Sequence, residues 1–295
     1  MEPYPPGSGT APQGREAPRR IDRRGIISAL GAAVFAGAFS SALRSAAAST
    51  LLANSSGKKV RPKGEPNPVV VIDAGHGGRD PGTISVSSVQ EKNLVLAMAG
   101  ELRRQLAATG RYDTALTRDS DVFVPLQQRV DIARRARGNL LISLHADAID
   151  HPDTRGASVY TLSDRASDAI AAALAEKENV VDTVAGVDLN SYSPDVRNIL
   201  VDLAKRDTER QSATFVSQLL PRLQQETRLL DGSHRSANFA VLRAPDVPSV
   251  LIELGYLSNR EDDLLLKQAS HRKHLARAMV AAVDAFFQHG PNAAS

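Results

Sequence analysis

Three short apolar runs, Val69 to Asp73 (VVVID), Leu140 to Leu144 (LLISL) and Ser249 to Glu253 (SVLIE), constrain this 295-residue chain more than any other feature. Continuous runs of this kind belong to strands buried on both faces, and such strands need a covering layer above and below. The intervals between them supply it. Leu94, Met98, Leu102 and Leu106 recur every four residues between Gln90 and Thr109, the stripe of an amphipathic helix that Gly110 ends. Tyr112 to Thr117 alternates as a strand, and Pro125 to Arg137 is a second helix with Leu126, Val130 and Ala133 on one face. Gly156 to Leu162 and Phe239 to Arg243 read as further strands, and Ser270 to Gln288 as a closing helix with Leu275, Met279, Ala282 and Phe286 inward. Alternating strands and helices predict an α/β fold: a single domain with a mostly parallel twisted sheet flanked by helices. One interval is too long for that scheme. Residues 164–226 read almost entirely helical, broken at Ala185-Gly186 and around Asn190 to Pro194, which is more than a crossover requires and predicts a lid or a docking element.

The chain has no cysteine, which excludes disulfides, thiolate nucleophiles and cysteine-ligated metals; any metal must be held by His, Asp or Glu. Residues 1–65 carry ten Lys and Arg against four Asp and Glu, whereas residues 66–295 carry 26 against 29. The basic excess therefore belongs to the N-terminal segment, and the folded part has no field that would attract nucleic acid. That segment has the layout of an export signal: Arg23-Arg24, an uncharged run from Ile26 to Leu43 padded with Ala, Gly and Ser, then Ala46-Ala47-Ala48. The arginine pair before a weakly apolar run resembles twin-arginine signals, which export proteins already folded. An uncleaved anchor helix is the alternative. The reading is a signal peptide over 1–48, a flexible linker over 49–68 and a working domain over 69–290 in the periplasm, with no separate targeting domain.

Three strand ends deliver polar residues: His76 after VVVIDAG, His145 after LLISL, and Glu253 inside SVLIELG. In an open parallel sheet the carboxyl ends of the strands border the ligand crevice. Glu91, at the start of the helix after the first strand, gives two imidazoles and two carboxylates that could converge there. Two imidazoles and one carboxylate form a sound first shell for Zn²⁺, and the other carboxylate would act as general base toward a water acidified by the ion. Which glutamate takes which role is open on these grounds. Gly75, Gly77 and Gly78 let the chain turn sharply around His76. Glu253, between Ile252 and Leu254 in a buried strand, is costly unless paired or bound.

The runs VVVIDAGHGGRDPG, VQEKNLVLA, TRDSD, VPLQQRVDIA, LLISLHADA, GASVYTLS and FAVLRAPDVPSVLIELGYLSNREDD, in this order, resemble the zinc-dependent N-acetylmuramoyl-L-alanine amidases of the amidase-3 family. The resemblance spans about Val69 to Phe287. It implies that His76, Glu91 and His145 ligate Zn²⁺, that Glu253 is the catalytic glutamate, and that the substrate is the amide joining N-acetylmuramic acid to L-alanine in peptidoglycan. Asp73 and Asp147 become candidates for orienting an imidazole. Two rivals are a non-catalytic wall-binding relative and a zinc carboxypeptidase, the latter without support from the motif order.

The helical interval resembles the insert of the Gram-negative cell-division amidases, in which a helix covers the active site until an activator binds. The resemblance places Ala175 to Asn179 in the covering segment and implies Glu178 as a fourth, inhibitory zinc ligand, with Glu176 as the competing candidate. Residues 195–208 put Val196, Ile199, Leu200 and Leu203 on one side, a face for a periplasmic protein activator or for core packing. The protein is expected to act as a monomer. His234, just before FAVL, is the one remaining histidine close in sequence to the catalytic strand.

Overall fold

The computed structural model describes residues 66–184 and 199–289. The expected signal, nearly all of the linker and the interruption at 185–198 lie outside the described residues. Six strands form one sheet: β1 (Val69–Ala74), β2 (Asp113–Leu116), β3 (Leu140–His145), β4 (Ala157–Leu162), β5 (Leu229–Ala237) and β6 (Ser249–Glu253). Their order is β2-β1-β3-β6-β4-β5. All neighbours run parallel except β4 against β6, so the sheet is mostly parallel as expected.

The three apolar runs are the central strands β1, β3 and β6, with every residue of β3 and β6 buried. Helix α1 (Glu91–Ala108) lays Leu94, Met98, Leu102 and Leu106 on one face of the sheet. Beside it pack α5 (Ile199–Leu223) and α7 (Ala269–His289), whose Phe215 and Phe286 rings meet edge to face at 5.6 Å. Each large apolar side chain so buried stabilises the fold by about 1.5–3 kcal/mol. The other face is covered by α2 (Leu126–Arg135), α3 (Ala169–Asn179), the short α4 (Val181–Val184) and a 3-10 turn at Ala240–Leu242. No described helix is long and apolar enough to cross a membrane.

One local expectation is corrected, and two elements are unanticipated. Phe239 to Arg243 is not a strand: Phe239 and Val241 are buried from a 3-10 turn, and an apolar run of four cannot separate these alternatives by period. The described part of the long interval is mostly helical, in α3, α4 and α5, and an unanticipated strand, β5, follows it as a polar edge strand on β4. Between the pairs Ala157–Leu229 and Val159–His234, one residue of β4 faces four of β5, so no alternating pattern survives in the sequence. An unanticipated helix, α6 (Arg260–Lys267), is capped by Asn259, whose side chain accepts from the amides of Glu261 and Asp262 at 3.0 and 3.2 Å.

Candidate metal centre

The parallel strands β1, β3 and β6 end side by side, and their ends build the site. His145 and Glu253 are paired directly across β3 and β6. After β1, the Gly75 amide bonds the Leu144 carbonyl at 3.1 Å, which keeps the chain against β3 for one residue more before it turns at His76. His76 takes a left-handed conformation, φ 58°, which costs a residue with a Cβ about 1–2 kcal/mol. Two buried guanidiniums hold it there. Arg129 donates to the carbonyls of Ala74 and His76 at 2.7 and 2.9 Å, and Arg118 to those of Ala74 and Gly75 at 2.9 and 2.7 Å. The imidazole of His145 lies so close over Gly75 that a Cβ there would meet it at 2.4 Å, so only glycine fits.

Glu91, the first residue of α1, is fully buried. Its two oxygens accept from the amides of Thr83 and Ala146, both at 2.9 Å, which fixes the carboxylate between the histidines. Glu91 Oε1 lies 3.1 Å from His76 Nε2 and 3.3 Å from His145 Nδ1. From the opposite face, α3 brings Glu178, whose Oε2 lies 3.7 Å from the same His76 nitrogen and 3.2 Å from the same His145 nitrogen. Neither imidazole nitrogen has a hydrogen-bond partner among the described residues. A tetrahedral ion with bonds of about 2.0–2.1 Å spaces its ligand atoms about 3.3–3.4 Å apart. Two imidazoles and two carboxylates at these separations, buried and unbonded to one another, therefore fit a metal ion of borderline hardness. His76, His145 and Glu178 each point a ligand atom into one space less than 4.8 Å across.

The electrostatics agree. Burial pushes the His76 imidazole down, but the Glu91 and Glu178 carboxylates outweigh it and hold the imidazole well above its ordinary value. Burial raises Glu91, and His76 and His145 more than reverse this, so it stays ionised far below the carboxylate range. Glu253 goes the other way: burial, then Glu91 and Glu178, raise it well above that range. Its Oε2 accepts from the Asp147 amide at 2.9 Å, and its Oε1 has no partner among the described residues.

All four sequence-predicted residues, His76, Glu91, His145 and Glu253, thus meet at the strand ends, with Glu178 among them. The expectation for Asp73 and Asp147 is corrected, since neither hydrogen-bonds an imidazole. Asp73 pairs with Arg129 at 2.9 Å and accepts from Thr117 and Ser143, both at 2.6 Å. Asp147 accepts from Thr83 Oγ1 at 2.7 Å and from Lys177 Nζ. The carboxylate that does orient an imidazole is Asp80, 2.7 Å from His76 Nδ1. Four residues beyond His76 in HGGRD, it could have been found only by asking which nearby acid a turn of that length returns to the ring. Glu176 is exposed, away from the cluster. His234 is on the edge strand with Thr161, apart from these ligands. Of the predicted activator face, Val196 and the side chains of Ile199, Leu200 and Leu203 lie outside the described residues.

A family profile described as N-acetylmuramoyl-L-alanine amidase matches residues 70–285. The chain is 37% identical over 255 residues to the N-acetylmuramoyl-L-alanine amidase AmiC of Neisseria meningitidis serogroup B; the match takes in 86% of this chain but spans only 61% of that protein. With N-acetylmuramoyl-L-alanine amidase AmiA of Escherichia coli the identity is 40% over 220 residues, 74% of this chain and 76% of the relative. The solved catalytic domain of CwlV, an N-acetylmuramoyl-L-alanine amidase from Bacillus (Paenibacillus) polymyxa var. colistinus, matches with a TM-score of 0.53 at 25% identity over 73% of this chain and 96% of that one.

Proposed function

This chain belongs to the N-acetylmuramoyl-L-alanine amidase family, and from that premise we propose that it is a zinc enzyme of the periplasm that cuts the amide between N-acetylmuramic acid and L-alanine in peptidoglycan. The observation that carries the reading is the approach of His76 Nε2 and His145 Nδ1 to one oxygen, Glu91 Oε1, at 3.1 and 3.3 Å, near the second buried carboxylate, Glu253, which is paired with His145 across β3 and β6. His76, Glu91 and His145 would hold the ion. Zinc, when bound, supplies a Lewis acid that polarises the scissile carbonyl and acidifies the attacking water.

The rest of the chemistry is the protein's own. Glu253 is anchored by one oxygen on the Asp147 amide, which leaves the other free to take the proton from the attacking water. Its raised proton affinity suits that task near neutral pH, where a solvated carboxylate is a poor base. The same carboxyl then gives the proton to the amide nitrogen as the C–N bond breaks. Asp80 holds His76 in one tautomer, with Nε2 turned to the ion.

Glu178 gives the reading its regulatory part. Its carboxylate occupies the side of the cluster that a water or the substrate carbonyl would need, so α3 in this position makes the resting enzyme inactive. A protein activator that draws α3 away, binding the insert near 195–208, would open it. Such control suits a wall hydrolase acting in daughter-cell separation, exported through the N-terminal signal by the twin-arginine route and working as a monomer. The test is release of peptide stems from purified peptidoglycan by the mature chain, with zinc. Glu178→Ala should release stems beginning with L-alanine without activator, and Glu253→Gln should bind zinc and release none. Equal basal release by wild type and Glu178→Ala would remove the inhibitory role.

A further inference from the structure

Glu178 does not come to the site alone. The preceding residue, Lys177, reaches past it and sets its ammonium against Asp147 and against Thr83 Oγ1, the latter at 2.8 Å. Asp147 is fully buried, and Thr83 donates its hydroxyl to the same Asp147 oxygen at 2.7 Å. The other oxygen, Asp147 Oδ2, has no partner among the described residues. Asp147 also donates its backbone amide to Glu253 at 2.9 Å, so this carboxylate adjoins the group that delivers a proton to the leaving nitrogen.

A surface latch would not need this arrangement, since an exposed ion pair forms with little desolvation. Here a carboxylate with no solvent access beneath α3 adjoins the catalytic glutamate, and the one cation that meets it among the described residues, the exposed Lys177, belongs to the segment that would leave. With α3 withdrawn, Asp147 would keep two neutral donors on Oδ1, the Thr83 hydroxyl at 2.7 Å and the Ala148 amide at 2.8 Å, and none on Oδ2, and a carboxylate left without a counter-charge in this way favours an arriving cation. Amide hydrolysis makes one. Water adds its oxygen to the carbonyl carbon, the C–N bond breaks, the nitrogen gains the water's protons, and the products are a carboxylate and an ammonium. Glu178 and Lys177 present those two charges side by side, the carboxylate at the metal cluster and the ammonium at Asp147.

We infer that Asp147 and Thr83 form the subsite for the leaving amine, which takes the α-ammonium of an L-alanyl peptide, and that Lys177-Glu178 occupies the site as an internal mimic of the two products. The inference rests on the amidase reading. Asp147 then favours the stage at which the nitrogen gains positive charge over the neutral amide, which is the differential stabilisation that accelerates the bond-breaking step.

The experiment uses the zinc-loaded mature chain and two probes: a short peptide with free N-terminal L-alanine, and the same peptide N-acetylated. Calorimetry near pH 6.5 keeps the α-amine charged, because its pKa is about 7.7–8.0. In the Glu178→Ala background the free-amine peptide should bind at least about tenfold more tightly than the acetylated one, and Asp147→Asn should bring that ratio close to one. Lys177→Met, with Glu178 retained, tests the mimic without touching the buried acid. It should raise wild-type affinity for the free-amine peptide by about tenfold or more, since the internal ammonium no longer competes. Equal binding of both peptides by Glu178→Ala, or a ratio untouched by Asp147→Asn with zinc content intact, overturns the inference. If Asp147→Asn does not fold, an unchanged affinity in Lys177→Met decides against it. Stem release is followed in parallel: release without amine discrimination rejects the subsite and leaves the amidase standing, whereas discrimination without release rejects the amidase reading.

Discussion

Arg129→Met removes the centre of the support beneath the metal site. The guanidinium is 1% exposed and donates to four acceptors: the carbonyls of Val124 and Ala74 at 2.7 Å, the His76 carbonyl at 2.9 Å, and Asp73 Oδ1 at 2.9 Å. Methionine fills much of the volume and makes none of these bonds. Removing one member of a buried ion pair costs about 3–5 kcal/mol, because the remaining charge stays buried. Each carbonyl left without a donor adds up to about 1–3 kcal/mol. Arg118 still bonds the Ala74 carbonyl, and Thr117 and Ser143 still bond Asp73, which limits the damage. A net loss of about 4–5 kcal/mol follows, and at about 2–4 °C per kcal/mol for a domain of this size the unfolding midpoint should fall by about 8–20 °C. Thermal unfolding of the zinc-free chain measures it. Asp73→Asn combined with Arg129→Met should recover about 2 kcal/mol relative to the sum of the single variants, because no charge is then stranded. A loss below about 1 kcal/mol, or strict additivity, would refute the account of this pair.

Asp80→Asn keeps the shape of the side chain that orients His76 but removes its charge, and should weaken zinc binding about 10–100-fold in a competition titration while the fold stays intact. The Asp73 carboxyl is held below its ordinary value because Arg129, Ser143 and Thr117 outweigh the effect of burial. Its stabilisation is therefore complete above an unfolded pKa of about 3.9 and is lost as pH falls through the lower folded value, so denaturant titrations between about pH 5 and 2 should show a shallower decline for Asp73→Asn than for wild type. Chelation of zinc should lower the unfolding midpoint, since an ion present at about 100 times its Kd stabilises by about 2.7 kcal/mol; an unchanged midpoint would mean that the cluster holds no ion. Glu253→Gln should lower stem release at least about 100-fold with zinc content unchanged, measured by product analysis beside metal assay.

The parts of this molecule that were legible in the sequence are those where burial leaves no freedom. The runs VVVID, LLISL and SVLIE could be little else than central strands, and because parallel strands end on one side, His76, His145 and Glu253 had to come together. Beyond the centre the signals weaken. The edge strand β5 is held by backbone bonds to β4 across a local mismatch in length, and its LLDGSHRSA carries no pattern. Asp73 is near an imidazole in sequence, but its partners Arg129, Ser143 and Thr117 come from three other segments, and only the folded structure shows that they meet. Glu178 became visible through family resemblance, since a glutamate on an exposed-looking helix is ordinarily a solvated charge. Its neighbour Lys177 carried no signal until the buried acid facing it was known.

The reversal of β4 has a consequence for how ion and helix depend on one another. Because β4, with its neighbour β5, runs opposite to β6, it ends level with Ser249, away from the metal cluster, and the chain must travel back along the sheet. It does so as α3, so the helix reaches the cluster at its last turn, where Glu178 is. A segment tethered in this way and an ion held by the cluster would behave as two ligands of one protein, and their coupling would be reciprocal. On the proposed reading, by whatever factor zinc favours the docked helix, the docked helix raises the equilibrium affinity for zinc. An activator of the proposed kind, lifting α3 to admit substrate, would to the same degree loosen the enzyme's hold on the ion.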